Sequence, residues 1–145
     1  MMRISTKGRY ALRIMLDLAQ HDQTKPISLR GIADRQSITS KYMEGIMALL
    51  LRHDLLVSTR GKMGGYRLSR APEDYTVYEI LCAAEGELAP VHCLSLPENP
   101  CPMQTHCTTL PVWEGLEGVV RNYLQSVTLA DVLRNGVSTE PCSPL

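Results

Sequence analysis

Residues 55–69, LLVSTRGKMGGYRLS, impose the tightest constraint on how this chain folds. LLVSTR is rich in residues that suit pleated backbone, GKMGG is a glycine-rich turn, and YRLS alternates on the way back. The segment predicts a β-hairpin with Arg60 and Lys62 at its tip beside Gly61, Gly64 and Gly65. Its glycines do not form a nucleotide loop, because no helix carrying a phosphate-binding Lys-Ser/Thr pair follows them.

Upstream of the hairpin the apolar period is helical. Tyr10, Ala11, Ile14, Met15, Leu18 and Ala19 recur at helical spacing and predict one amphipathic helix. Pro26 makes a break, and Ser28 can cap a short helix with Leu29, Ile32 and Ala33 on its inner face. QSIT interrupts that helix. Thr39 or Ser40 can cap a third, carrying Tyr42, Ile46, Leu49 and Leu50 inward. Two helices joined by such a turn make a helix-turn-helix, whose second helix can enter the DNA major groove by its N-terminal end. Here that end presents Lys41, Tyr42 and Glu44. Lysine can meet phosphate or guanine, and glutamate can accept from cytosine N4. Many helical proteins carry such a pair without binding DNA. The hairpin that follows is a wing, with Arg60 suited to a narrow minor groove and Gly64 letting backbone approach a phosphate, and it favours the DNA reading.

Charge supports the same reading. Residues 1–71 hold 13 Lys/Arg and 5 Asp/Glu, a net +8, whereas residues 72–145 hold 2 and 10, a net −8. Only the first half is suited to a polyanion. No apolar run is long enough to span a membrane, and Arg9 and Arg13 interrupt the N-terminal stretch where a signal peptide would need an apolar core. The expected location is the cytoplasm, where thiols stay reduced.

In the acidic half, Thr76 and Glu79 form a capping-box pattern ahead of Val77, Ile80, Leu81 and Ala84, and Gly86 can end that helix. Cys82 on it reads as a packing thiol. Trp113, Leu116, Val120, Tyr123, Leu124 and Val127 mark a long helix, and Thr128 with Asp131 can cap a short one ending near Asn135 and Gly136. The long helix needs an apolar partner. A second copy of the chain is the economical answer, and packing back on its own winged unit is the alternative. The tail from residue 135 is short and polar and is expected to be mobile, with Cys142 a free thiol.

Between these helices lies CLSLPENPCPMQTHC, residues 93–107. Pro97, Pro100 and Pro102 oppose regular structure, so Cys93, Cys101 and Cys107 stand in a loop. Such a loop can bring three sulfurs together if a bound group gathers them. Seven residues separate the first two cysteines and five the last two, which suits an iron–sulfur cluster better than zinc, whose ligands usually come in close pairs. No Cys-x-x-Cys pair and no paired acid and base suggest an enzyme.

The segments RISTKGRYALRIMLDLA, SKYMEGIMALL and LLVSTRGKMGGYRLSRAP, with the three loop cysteines, resemble the IscR-type winged-helix transcriptional regulators. Relatives there include nitric-oxide, iron and cysteine-metabolism regulators, the last without a cluster. The resemblance runs to about Leu133. It implies a mainly α fold with a small β-wing: a DNA-binding unit over residues 1–72, a cluster loop with dimerisation helices over 73–134, and a tail over 135–145. It further implies a homodimer on promoter DNA, with Arg60 reading the minor groove, Glu44 reading or rejecting bases in the major groove, and Cys93, Cys101 and Cys107 as cluster ligands. Leu110 stands where one branch has a ligand histidine, and Arg9 where another has an aspartate, so the fourth ligand is open; His106 and His92 are the candidates within the loop. A 2Fe–2S cluster follows from overall resemblance, a 4Fe–4S cluster if three cysteines are the only protein ligands. The alternatives are a cluster-free regulator sensing thiol oxidation or a partner, a zinc-stabilised module, and a small cysteine-based redox protein.

Overall fold

The computed structural model describes residues 3–135. The expected tail and Cys142 lie outside them. In chain order come α1 (Thr6–Ala19), α2 (Leu29–Gln36), α3 (Ser40–Arg52), the strands β1 (Leu56–Thr59) and β2 (Gly65–Leu68), then α4 (Val77–Glu85), α5 (Leu110–Ser126) and α6 (Leu129–Leu133).

On α1, the side chains of Ala11, Ile14, Met15 and Leu18 are buried. Each larger aliphatic so covered contributes about 1.5–3 kcal/mol. The expected caps are present: Ser28 Oγ accepts from Gly31 N at 3.1 Å, and Thr39 Oγ1 from Tyr42 N at 3.3 Å. The inward face of α3 differs from expectation. Met43, Ile46, Met47 and Leu50 are buried, Leu49 is half-buried and Tyr42 is exposed. Ile46 and Leu50 fit both helical phases, so the period alone does not choose between them. The choice is made by contact, because Tyr42 lies edge-on to Tyr10 of α1 with ring centroids 5.9 Å apart.

Both helices of the helix-turn-helix end the same way. Ser37 (φ 55°) and Asp54 (φ 58°) take the left-handed conformation. The next residues, Ile38 and Leu55, bond back to the carbonyls of Ala33 and Leu50, each at 3.0 Å. This is a Schellman ending, and its usual apolar contact is present because all four residues are in the core.

The wing is antiparallel, with Leu56 opposite Leu68 and Thr59 opposite Gly65. Ile27 adds a bridge to Tyr66 through two 2.8 Å backbone bonds. Gly65 is required there, since a Cβ would collide with the Ile27 carbonyl. Tyr75, fully buried, fastens the wing's exit: its hydroxyl donates to Leu55 O at 2.8 Å and accepts from the amides of Ser69 and Arg70, both at 2.9 Å.

At α4 only half of the expected capping box forms. Thr76 Oγ1 accepts from Glu79 N at 3.1 Å, but the Glu79 carboxylate pairs with Arg70 at 2.6 Å instead of returning. At α6 the reciprocal box of Thr128 and Asp131 is complete. One core holds Ile14 and Met15 together with Ile80, Ala83, Ala84 and Leu129, so α4 and α6 share the winged unit's interior. A second cluster gathers Val77, Leu81 and Val127, with Ile4, Leu12, Leu88, Leu124 and Val132 against it. The stripe expected on the long helix therefore divides. Leu124 and Val127 pack on their own chain, whereas Val112, Trp113, Leu116, Val119 and Tyr123 are exposed. Among the described residues no helix is long and apolar enough to cross a membrane.

Candidate nucleic-acid interface and thiol loop

The helix-turn-helix is held to α1 by polar contacts at its base. Asp17, only 3 % exposed, accepts from Arg35 Nη2 at 2.7 Å and Nε at 3.0 Å and from Gln36 Nε2 at 2.9 Å. Burial pushes its carboxyl up, but the bonds from Arg35 and Gln36 and the Arg35 charge together hold it below its ordinary value. Arg13 adds a second tie, donating to the Gln36 carbonyl at 2.6 Å and Gln36 Oε1 at 3.1 Å. Its guanidinium also lies 5.0 Å from the centre of the Tyr10 ring that supports Tyr42.

These contacts tie the end of α2 to α1, and Tyr10 supports the start of α3 through Tyr42. Lys41, Tyr42 and Glu44 are exposed on α3, as the major-groove reading requires. So are Gly45 and Ala48, and nothing lies within 4 Å of where a Gly45 side chain would begin. The apolar period does not mark these two small residues, but their spacing from Lys41 and Glu44 places them on the same face. A bare helix face can approach a groove floor closely. On the wing, Arg60 and Lys62 are exposed and, among the described residues, neither makes an ion pair. Gly64 closes the tip, its amide donating to Gly61 O at 3.0 Å.

The thiol loop runs from α4 to α5. Cys93 lies in a short 3-10 turn, His92–Leu94. The Cys101 amide donates to Asn99 Oδ1 at 2.9 Å, and its carbonyl accepts from Gln104 N at 3.2 Å. Cys107 follows a second such turn, Gln104–His106. All three thiols are free and partly covered, while residues 96–98 and 102–106 are exposed. Thr109, whose Oγ1 is 3.4 Å from Cys107 Sγ, holds that thiol below its ordinary value through side-chain and backbone bonds. His92 and His106 are exposed beside their cysteines, and His92 Nδ1 stands 3.4 Å from Ser95 Oγ. By contrast, burial pushes the Cys82 thiol up, which keeps it a neutral packing group.

Three soft, unpaired thiols on one segment are a donor set that fits an iron–sulfur group. The segment does not hold them preassembled: among the described residues no three His, Cys, Asp or Glu side chains stand close enough to share a metal ion. Cys93 sits within the first 3-10 turn and Cys107 directly after the second, so sharing one bound group requires the loop to rearrange.

Residues 4–135 match the Rrf2 family, described as iron-dependent transcriptional regulators. The rrf2 protein of Nitratidesulfovibrio vulgaris is 37 % identical over 135 residues, covering 92 % of this chain and 89 % of that one. The fold is similar to that of CymR, the global cysteine regulator of B. subtilis, with a TM-score of 0.73 and 33 % identity over 93 % of this chain and 98 % of that one. It is also similar to T. potens IscR, with a TM-score of 0.69 and 34 % identity over 98 % and 93 % of the two chains. The matching fold is the winged helix read from the hairpin and the helices before it, and the family is one of regulators, not of enzymes. The chain therefore belongs to the Rrf2 family of transcriptional regulators.

Proposed function

We propose that this protein is a homodimeric, DNA-binding regulator whose grip on promoter DNA responds to an iron–sulfur cluster held by Cys93, Cys101 and Cys107. The observation that carries the reading is that one chain holds both a winged helix-turn-helix and three free, partly covered thiols on a single loop. Lys41, Tyr42 and Glu44 enter the major groove, and Arg60, Lys62 and the Gly64 backbone meet the minor groove and its phosphates. Contacts to phosphate supply salt-dependent affinity, and Glu44 and Arg60 supply selectivity. The exposed Val112, Leu116, Val119 and Tyr123 of α5 recur at spacings of four, three and four, a seam suited to the same helix of a second copy.

When bound, the cluster supplies a group whose presence depends on iron, sulfide and oxidants. The loop orders around it, and DNA affinity changes by as much as that order favours one arrangement of the two wings. His106 or His92 is the loop's own candidate for a fourth ligand. The test is purification without oxygen followed by an absorbance spectrum and an iron-to-sulfide ratio, repeated on each Cys→Ala variant and on His106→Ala and His92→Ala. Two irons per chain would mark a 2Fe–2S group and four a 4Fe–4S group.

A second reading is a cluster-free regulator that senses thiol oxidation or a partner protein. The separation of the three thiols and the likeness to CymR favour it. Colourless protein without iron or sulfide that still binds its DNA would decide for it.

A further inference from the structure

We propose that Glu85 is a positioning residue that couples the thiol loop to the helix-turn-helix by capping α1. This rests on the cluster-responsive reading above and goes beyond it by naming the connection. Glu85 is the last residue of α4, and the loop that carries the cysteines begins at Gly86. Its Oε1 accepts from Ser5 N at 2.8 Å, from Gly8 N at 3.0 Å and from the Ser5 hydroxyl. A carboxylate placed there faces the positive end of the helix dipole and shares the Gly8 amide with the N-cap Ser5, whose Oγ accepts from it at a longer 3.4 Å. Neither α1 nor its neighbours in sequence supply one, because the first turn of α1 has no acidic residue.

Two further observations show that the contact is built. Gly8 has no side chain where a Cβ would run into the Glu85 carboxylate, so any other residue pushes the carboxylate away. Leu88, three residues into the loop, packs in the same cluster as Ile4 and Leu12, which flank the capped turn. The end of α4 is thus tied to the start of α1 by a polar contact, and the third residue of the loop shares an apolar cluster with Ile4 and Leu12. From that turn α1 runs on to Tyr10, which touches Tyr42, and to Arg13, which holds the end of α2 at Gln36. A loop that closes around a bound group pulls on Glu85. The cap is either made or broken, so it has the two discrete states that coupling requires.

The test compares full-length wild type with Glu85→Ala, each prepared without oxygen in cluster-loaded and iron-stripped form and titrated with one duplex selected by the protein from a random pool. Wild-type affinities in the two states differ by about fivefold or more. In Glu85→Ala the ratio falls to within about twofold while the cluster absorbance persists, whereas a merely structural role would lower both affinities and leave their ratio standing. Retention of the wild-type ratio overturns the proposal. A wild-type ratio near one would instead sink the cluster-responsive reading, and this inference with it. Gly8→Ala guards against a folding defect: it keeps the Glu85 carboxylate but displaces it from α1 and must also lose the ratio, and a preserved ratio there overturns the proposal.

Discussion

Asp17 on α1 and Arg35 near the end of α2 meet in a two-point pair, with Arg35 Nη2 at 2.7 Å and Nε at 3.0 Å from the carboxylate oxygens. Asp17 is buried, whereas Arg35 is 40 % exposed and can regain water if the pair breaks. Asp17→Asn is therefore expected to cost about 2 kcal/mol, within the range for hydrogen bonds to charged groups. The folded carboxyl lies below its ordinary value of 3.8, so its contribution is complete above that pH and fades as pH falls through the folded value. Urea midpoints measured down to about pH 3 should fall more steeply for wild type than for Asp17→Asn.

Ser37 and Asp54 carry side chains in a conformation that suits glycine. Ser37→Gly removes a steric cost of roughly 1 kcal/mol, partly offset by the freer unfolded chain. The variant should gain a few tenths to about 1 kcal/mol in denaturant unfolding. A β-branched replacement such as Ser37→Val should lose more than that.

Arg60 and Lys62 share the wing tip but should fail differently. Arg60→Ala should cost on the order of 1–3 kcal/mol on the selected duplex and little on random DNA. Lys62→Ala should weaken both about equally and lower the salt slope by about one. Anisotropy titrations over a salt series separate the two outcomes.

Leu116 lies in the exposed seam of α5. In a symmetric dimer each substitution acts twice. Leu116→Ala should weaken self-association by about 3 kcal/mol, roughly a hundredfold, in sedimentation equilibrium. Leu124→Ala acts on the chain's own packing and should lower stability more than association.

Local signals carried much of this fold. The stripe on α1, the caps at Ser28 and Thr39 and the glycine turn of the wing depend on residues close in sequence, and all three form. What escaped the sequence was set by distant partners. Tyr42 leaves the core because Tyr10 receives it, and Met43 and Met47 fill the space. Glu79 abandons its capping box for Arg70, nine residues away. Ile27 finds Tyr66 across the wing, and Glu85 reaches Ser5 over 80 residues. At the candidate site, composition picked out Lys41, Glu44, Arg60 and the three cysteines. Spacing could not say whether the sulfurs are already grouped, because that depends on how the loop folds, including its 3-10 turns at His92–Leu94 and Gln104–His106.

The most direct test is a pair of titrations of one selected duplex, with protein purified without oxygen and with the same preparation after its iron is chelated. The account predicts dissociation constants at least about fivefold apart, and no difference once Cys93, Cys101 and Cys107 are all alanine. Equal constants for the two wild-type forms, unchanged in the triple variant, would contradict it.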